Sequence, residues 1–212
     1  MLAMATITRR GPGRPPAAKS AETRGRIARA AREVFSELGY DGATFQEIAV
    51  RADLTRPAIN HYFPSKLALY RHVLAQTNEA VIDPAVKEAR AESTFEGRMR
   101  AFIRTAVGAQ NVDPSIAAFL VTSVMEAQRH PQLNKDRNSA LEWSREFAAW
   151  VLGDAVAAGE LPAGINLAVT TEMLVSMLLG LAVYAGFVGS QEQLVALTEQ
   201  FLAMLSGGLH TA

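Results

Sequence analysis

Apolar side chains recur at every third or fourth position along most of the chain, which is the spacing of one face of an α-helix. In the first clear stretch, residues 22 to 38, the side chains of Ile27, Val34 and Leu38 share a face. Gly39 can then take the left-handed conformation that ends a helix. The alternation of apolar and polar residues that marks a half-buried strand is not found in the rest of the chain, so the pattern predicts an all-α fold.

Further helices are predicted over residues 67–82, 84–92, 95–110, 114–129, 133–158, 167–188 and 191–206. The helix that begins at Leu67 is expected to run from the N-terminal part of the chain into the rest of the molecule. A single rigid element of this kind would let a movement in one part reposition the other. Asp83-Pro84 is expected to end or kink that helix, because proline lacks an N–H group and clashes with the preceding turn.

The stretch TFQEIAVRADLTRPAINHYFPSK, residues 44 to 66, predicts two short helices joined by a tight turn. Thr44 and Glu47 have the spacing of a capping box, in which two side chains satisfy the free backbone N–H groups at a helix start. Thr55 offers a hydroxyl to cap the second helix, and Pro57 falls in its first turn, where a missing N–H does no harm. Two short helices joined by a short turn form a helix-turn-helix.

The second of these helices has two distinct faces. Ile59 and Phe63 are four residues apart and would point into a small core. The opposite side carries Arg56, Pro57, Asn60 and His61. Such an exposed face fits the major groove of DNA. Pro64 and Ser65 then end the helix, and Lys66 begins a new one whose first turn would stand beside a phosphate.

The run ARAAREVFSELGYDGATFQEIAVRADLTRPAINHYFPSKLALYRHVL carries a family resemblance. From about Thr23 to Leu74 the chain resembles the DNA-binding domain of the TetR family of bacterial transcriptional repressors. The resemblance implies an N-terminal three-helix domain followed by a larger helical domain for ligand binding and dimerisation. One departure is Asn60, because many members have a tyrosine there that reaches a phosphate, and asparagine has less reach.

A two-fold protein of this type is expected to place one recognition helix per subunit in successive major grooves of an inverted-repeat operator. Arg56 is expected to bond O6 and N7 of a guanine, while Pro57 and His61 touch base edges or a thymine methyl. The side chains expected to hold phosphates are Thr44, Thr55, Asn60, Tyr62 and Lys66.

Charge is distributed unevenly along a chain that is neutral as a whole, with 21 basic and 21 acidic residues. Residues 1 to 72 carry 12 Lys or Arg against 6 Asp or Glu, and the remainder carries 9 against 15. Attraction for phosphate therefore lies at the N-terminal end. We predict a flexible basic arm at residues 1–20, a helix-turn-helix domain at 21–66 and a helical ligand-binding and dimerisation domain at 67–212. The arm can lie in a minor groove or serve as a solubilising tail.

TetR-like proteins typically bind a small molecule among the helices of the second domain. The apolar and aromatic side chains that the resemblance makes candidates for effector contact are Phe102, Phe119, Met125, Trp143, Phe147, Trp150, Met173, Met177 and Tyr184. Each can equally be core. A cavity lined in this way would suit a largely apolar or aromatic ligand.

The last two predicted helices carry more apolar surface than one subunit can cover. The residues expected at a dimer interface there are Leu174, Leu178, Leu181, Val188, Leu194, Leu197, Phe201 and Leu205. Residues 173 to 191 contain no charge and approach the length of a membrane span. No Lys or Arg follows Arg145, so a positively charged anchor is missing, and we expect burial against a second subunit rather than membrane insertion.

Catalytic and metal-binding motifs are missing from the sequence. The chain has no cysteine, and no two of its four histidines stand three or four residues apart. We therefore expect no enzyme, no metal and no cofactor, and a cytoplasmic, ligand-responsive DNA-binding regulator that acts as a repressor, although the same parts would serve an activator. Two alternatives are an architectural or ligand-independent DNA-binding protein and a helical carrier of lipids or other small molecules without a DNA role.

Overall fold

The structure is a computed structural model and describes residues 16–134 and 140–208. Helices account for nearly all of the described chain, and no strand occurs within it, which confirms the predicted all-α fold. The α-helices are α1 (Pro16–Gly42), α2 (Phe45–Arg51), α3 (Arg56–Tyr62), α4 (Lys66–Ala91), α5 (Phe95–Val112), α6 (Ser115–Arg129), α7 (Ala140–Ala157), α8 (Leu167–Val183) and α9 (Gln191–Gly208). A short 3-10 helix (Pro131–Asn134) follows α6, and a π turn (Tyr184–Val188) continues α8.

Two predicted helix boundaries differ from the structure. Helix α4 continues through Pro84 to Ala91, so it does not end at Asp83-Pro84, which is one of the two outcomes that the sequence predicts there. Ala80, whose carbonyl loses its partner at Pro84, is exposed, so water can satisfy it. Of the helix predicted over residues 133–158, residues 133 and 134 belong instead to the 3-10 helix, residues 135–139 lie outside the described residues, and α7 covers Ala140–Ala157. Most of the predicted arm, residues 1–15, lies outside the described residues, and Pro16 to Ser20 belong to α1.

One apolar core holds α1, α2 and α3 together. It contains Ile27, Phe35, Ile48, Ile59 and Phe63, as the apolar spacing of these helices predicts. The same core takes side chains from beyond the predicted domain boundary at residue 66, namely Leu69, Tyr70, Val73, Leu74, Phe119 and Leu133. We call α1 to α3 with the first half of α4 the N-terminal unit. Helix α6 is thus part of the support of this unit through Phe119.

A second apolar core lies between α4, α5, α6, α7, α8 and α9. Helix α4 contributes to both cores, and so does α6, whose Ile116 and Leu120 face the second core. The π turn at the end of α8 packs closely on α6, because a Cβ atom added to Gly186 would lie 2.7 Å from the backbone nitrogen of Ala118. The N-terminal unit is therefore connected to the rest of the chain covalently through α4 and by packing through α6.

A candidate DNA-binding face and an apolar cavity

Capping side chains fix the start of each short helix near the surface. Thr44 and Glu47 form the predicted capping box at α2, with the Thr44 backbone N–H donating to Glu47 Oε2 at 2.8 Å. Thr55 Oγ1 accepts a hydrogen bond of 3.3 Å from the N–H of Ala58 at the start of α3. Ser65 does the same for α4, accepting from Ala68 at 3.1 Å. The predicted helix-turn-helix is confirmed in its elements and in its caps.

The turn between α2 and α3 closes with two backbone hydrogen bonds. The N–H of Leu54 donates to the carbonyl of Ala49, and that of Asp53 donates to the carbonyl of Val50. This pair of bonds is the Schellman motif, which needs a residue with positive φ just after the helix end. Asp53 supplies it with φ of 51°, in a position where glycine is the usual residue. The turn sets the angle between α2 and α3.

Helix α3 buries one face and exposes the other, as its sequence predicts. Ile59 is fully buried and Phe63 nearly so. The exposed residues are Thr55, Arg56, Pro57, Asn60 and His61, with Tyr62 half-buried beside the His61 ring. Among the described residues, no carboxylate forms an ion pair with Arg56. The structure thus brings the predicted base-contacting side chains to one exposed face, and their contact with DNA stays a prediction.

Two arginines of α1 hold the helix-turn-helix in place. One Nη atom of Arg26 donates to the carbonyls of Ala52 and Asp53 at 2.8 and 3.0 Å, which bonds α1 to the turn between α2 and α3. Arg24 donates to the carbonyl of Tyr62 at 3.3 Å and lies over the ring of Phe63. Sequence reasoning missed both, because nothing in their spacing separates them from the other basic residues of α1. Part of the positive charge of this region therefore has a structural role.

Lys66 has a different environment from the one its predicted phosphate role requires. Its ammonium group donates to the carbonyls of Tyr40, Asp41 and Ala43 at 2.6, 3.2 and 3.0 Å, and it lies over the Tyr40 ring. Lysine has three donors, so all of them are engaged at the C-terminal end of α1 and at Ala43, just after it. Thr44 is similarly engaged, because its hydroxyl and its N–H both donate to the carboxylate of Glu47. A phosphate would have to displace these partners.

An apolar cavity of about 120 Å³ lies in the second core, between α4, α5, α6, α7, α8, the π turn and the start of α9. Its wall includes Ile82, Phe102, Leu120 and Leu178. Within the described part of the chain no charged side chain lines it, and its polar side chains are Gln110 and Ser144. Small-molecule sites usually measure about 300 to 1,000 Å³, so a ligand of that size would have to widen this cavity.

The cavity wall differs from the predicted set of effector contacts. Of the nine predicted side chains, all within the described residues, Phe102 lies on the wall, and the others do not line it, namely Phe119, Met125, Trp143, Phe147, Trp150, Met173, Met177 and Tyr184. Phe119 is fully buried in the core of the N-terminal unit. Met125 and Met173 are 61% and 44% exposed. Trp150 lies under two arginines, and Phe147 stacks on Phe102 behind the wall. Apolar character alone does not tell these environments apart.

Gln110 on the cavity wall is fully hydrogen-bonded to the protein. Its Nε2 donates to the carbonyls of Pro114 and Ala185 at 2.9 and 3.2 Å, and its Oε1 accepts from the N–H of Ala117 at 2.9 Å. Ser144 donates to the carbonyl of Ala140 and keeps acceptor capacity. Gln110 therefore binds the start of α6 to the π turn, and it is not free to recognise a ligand without breaking these bonds.

The predicted dimer interface mixes three environments. Leu174, Leu194, Phe201 and Leu205 are buried within the chain's own core, Leu178 and Leu181 line the cavity, and Val188 and Leu197 are exposed. The exposed side of α8 and the π turn is instead formed by Val169, Met173, Ser176, Gly180, Val183 and Phe187, which we call the α8 stripe. The steps between these residues are those of a helix face. Sequence periodicity identified an apolar helix but not which face its own subunit leaves uncovered.

Residues Leu167–Val188 form a helix long and apolar enough to cross a membrane, by length and composition only. Only 17% of its most apolar stretch is buried within the chain. One such helix is weak evidence for a membrane span. The apolar surface that this helix leaves exposed therefore needs some other cover. Among the described residues, no group of His, Asp and Glu side chains is arranged to hold a metal ion.

Comparison with known proteins agrees with the geometry of the N-terminal unit. Residues 27–73 match the family described as bacterial regulatory proteins, tetR family. The HTH-type transcriptional regulator UidR of Escherichia coli is 29% identical over 192 residues, which cover 90% of this chain and 94% of UidR. The HTH-type transcriptional activator FasR of Mycolicibacterium smegmatis is 33% identical over 105 residues, 46% of this chain and 48% of FasR.

A solved structure extends the likeness of fold to the second core. The transcriptional regulator FadR from Bacillus subtilis, in complex with stearoyl-CoA, has a TM-score of 0.69 at 21% identity, with 88% of this chain and 99% of that chain covered. The fold of both parts of the chain, and not only of the N-terminal unit, is therefore shared with this regulator.

Proposed function

Because the chain belongs to the TetR family and is a DNA-binding transcriptional regulator with a helix-turn-helix, we propose that it acts as a homodimeric repressor and that an apolar effector releases it from DNA. The operator would be an inverted repeat, since a two-fold dimer presents two copies of α3. Arg56, Pro57 and His61 would contact base edges. The phosphate contacts would come from Thr55, Asn60 and Tyr62, and from Thr44 and Lys66 only where DNA displaces their present partners.

The exposed face of α3 is the observation that carries this proposal. Its side chains are free on a helix that is fixed at its start by Thr55, at its end by Arg24 and at the preceding turn by Arg26. A reading helix must be rigid, because base discrimination depends on hydrogen bonds with fixed geometry.

Comparing two substitutions of Arg56 tests the DNA-binding mode. The wild-type protein first selects duplexes from a random-sequence pool. Arg56→Lys keeps the positive charge but loses the bidentate fork, so it should lower discrimination at one base position by about 1–3 kcal/mol and leave non-specific binding nearly unchanged. Arg56→Ala should lose the same discrimination and leave the salt dependence nearly unchanged, because Arg56 is proposed to contact bases and not phosphates.

Arg29, an exposed cation on α1, provides a matched control. Arg29→Ala should leave base preference unchanged. If both Arg56 variants select the same duplexes as the wild type, α3 does not read bases through Arg56. If the wild type selects none, the proposed function itself is wrong.

The cavity supports an apolar effector. Its uncharged wall would accept an alkyl chain or a ring, and a charged group would remain at the mouth of the cavity or outside it. Stearoyl-CoA, the ligand named with Bacillus subtilis FadR, combines such a chain with a charged head and is therefore a suitable probe. An architectural DNA-binding protein would need no such cavity.

The effector test measures the affinity for the selected duplex with and without stearoyl-CoA, and with coenzyme A alone. We expect the acyl form to weaken DNA binding by about 5- to 150-fold, the usual range of allosteric coupling, and the coenzyme alone to have no effect. An equal response to both compounds would contradict recognition through the cavity. A reporter gene behind the selected operator separates a repressor from an activator.

A further inference from the structure

A buried ion pair joins the N-terminal unit to the corner between α5 and α6. Arg32 of α1 is 8% exposed, and its Nη2 donates to Asp113 Oδ2. The other guanidinium nitrogens donate to Ser115 Oγ at 3.0 Å and to Thr77 Oγ1 at 3.2 Å. All three partners lie outside α1 to α3, and Thr77 lies on α4. The guanidinium thus bonds to three elements at once, and removing one charged partner would leave an uncompensated buried charge.

Asp113 also organises the corner itself. Its Oδ1 accepts from the N–H and the hydroxyl of Ser115, at 3.1 and 2.6 Å, and so caps the start of α6 beside Pro114. Its own N–H ends α5 by donating to Ala109. The position of the carboxylate that holds Arg32 is therefore fixed by the relative position of α5 and α6.

The other side of the same corner faces the cavity. Gln110 lies one turn before Asp113 and lines the cavity, with bonds to Pro114, Ala117 and Ala185. A ligand that widens the cavity between α5, α6 and α8 would change the distance between these partners. The Gln110 amide would then shift the start of α6, and Asp113 would shift with it.

We propose that the α5–α6 corner, through Gln110, Asp113 and Arg32, transmits the state of the cavity to α1 of the N-terminal unit, alongside the covalent connection through α4. This inference rests on the proposed function for its biological meaning. The connection itself is a property of the chain without DNA or ligand. Helix α1 holds the turn before α3 through Arg26, so a displacement of α1 changes the position of the reading helix.

The primary experiment is hydrogen–deuterium exchange of the full chain in a double-mutant cycle. Gln110→Met removes the three bonds at the cavity wall while keeping a side chain of similar length. It should raise exchange of the α1 amides around Arg32 several-fold, although Gln110 does not hydrogen-bond to α1. In an Asp113→Asn background the same change should produce no further response in α1.

The matched control is Asp154→Asn. It breaks the Arg98–Asp154 pair, 3.0 Å between α5 and α7, which does not reach α1. In that background the response of α1 to Gln110→Met should persist. Protection of the α9 amides shows that each variant is folded. The inference is overturned if α1 responds equally with Asp113 and with Asn at that position, or if α5 responds to Gln110→Met and α1 does not.

A second measurement separates the inference from the function on which it rests. In the wild type, stearoyl-CoA should weaken binding of the selected duplex, and in Asp113→Asn this effect should fall to less than about threefold, with binding of the probe itself unchanged. If Asp113→Asn responds like the wild type, the corner does not transmit the signal and the proposed function stands. If the wild type binds no DNA, the proposed function is wrong, and if its DNA binding does not respond to stearoyl-CoA, the proposed effector is wrong. In either case the hydrogen–deuterium exchange cycle alone tests whether the α5–α6 corner transmits a change at Gln110 to α1.

Discussion

Asp53 accepts a backbone conformation that few side chains tolerate, in the turn that orients α3. A left-handed residue other than glycine costs about 1–2 kcal/mol, and aspartate and asparagine are among the residues that bear it best. We therefore expect Asp53→Gly to be about 1 kcal/mol more stable than Asp53→Ala. Urea unfolding of the two variants measures the difference. Equal stability would mean that the φ of 51° is not retained in solution.

Lys66 provides a second prediction about a single side chain. Its three bonds to carbonyls at the C-terminal end of α1 and at Ala43 are charge-assisted, so Lys66→Met should lower the free energy of unfolding by about 2 kcal/mol. Arg29→Met on the exposed side of α1 should change it by less than about 0.5 kcal/mol. A loss of DNA affinity in Lys66→Met without any loss of stability would instead favour the phosphate role that the sequence predicts.

The protonation of Asp113 gives a prediction with a defined sign. Burial alone raises the pKa of Asp113, but hydrogen bonds from Ser115 and the charge of Arg32 outweigh it and hold the pKa below its ordinary value of 3.8. The stabilisation is therefore present in full above pH 3.8 and is lost as the pH falls through the lowered pKa. The stability difference between wild type and Asp113→Asn should be constant near pH 6 and shrink below about pH 4. A difference that grows on acidification would contradict the direction of the shift.

At the scale of elements, the close approach of α6 to α1 depends on a glycine of α1, Gly39. Gly39 has φ of 69° and ψ of −179°. Its φ is positive, as in the left-handed cap that the sequence predicts, but its ψ is extended, and this combination is nearly exclusive to glycine. A Cβ atom there would lie 2.7 Å from Glu126 Oε1 of α6. Gly39→Ala should therefore cost roughly 2–3 kcal/mol in unfolding free energy.

Two further variants separate the causes of that cost. Gly108→Ala, in the exposed interior of α5 with open space around it, should instead stabilise by about 0.5–1 kcal/mol. When Gly39→Ala is combined with Glu126→Ala, the part of the lost unfolding free energy that comes from the clash with Glu126 should be recovered. The part that comes from backbone strain at residue 39 should remain. Full recovery would show that the backbone at Gly39 is not strained.

Elements whose causes are local could be predicted from the sequence, and contacts between distant elements could not. Thr44 and Glu47 are three residues apart and Thr55 caps its own helix, so both caps follow from short spacings. Arg32 and Asp113 are 81 residues apart, and no spacing connects them. The wall of the cavity differs from its expected lining for a related reason, because small residues such as Ala106 and Ala117 line it, whereas the prediction named only large side chains.

At the scale of the whole molecule, the exposed apolar surface and the proposed two-fold operator point to the same arrangement. The α8 stripe exposes Val169 by 64% and Phe187 by 55%, with Gly180 between them, where two backbones could approach closely. Stable protein interfaces bury at least about 1,000 Å², and the helix that carries the stripe spans 22 residues, Leu167–Val188.

Charge placed on this stripe should separate the proposed dimer. Phe187→Asp and Val169→Asp should each raise the dissociation constant of the dimer at least about 30-fold, the effect of losing one interface hot spot. Met125→Asp, at a side chain 61% exposed on α6, should leave it unchanged. Sedimentation velocity measures the association.

The separated subunits should bind a half-site duplex like the wild type. They should lose the higher affinity that the wild type shows for a full inverted repeat, because that higher affinity comes from linking two copies of α3 in one dimer. If the chain remains dimeric in both stripe variants, the interface lies on another surface. The two copies of α3 would then be spaced differently from the arrangement that the α8 stripe implies.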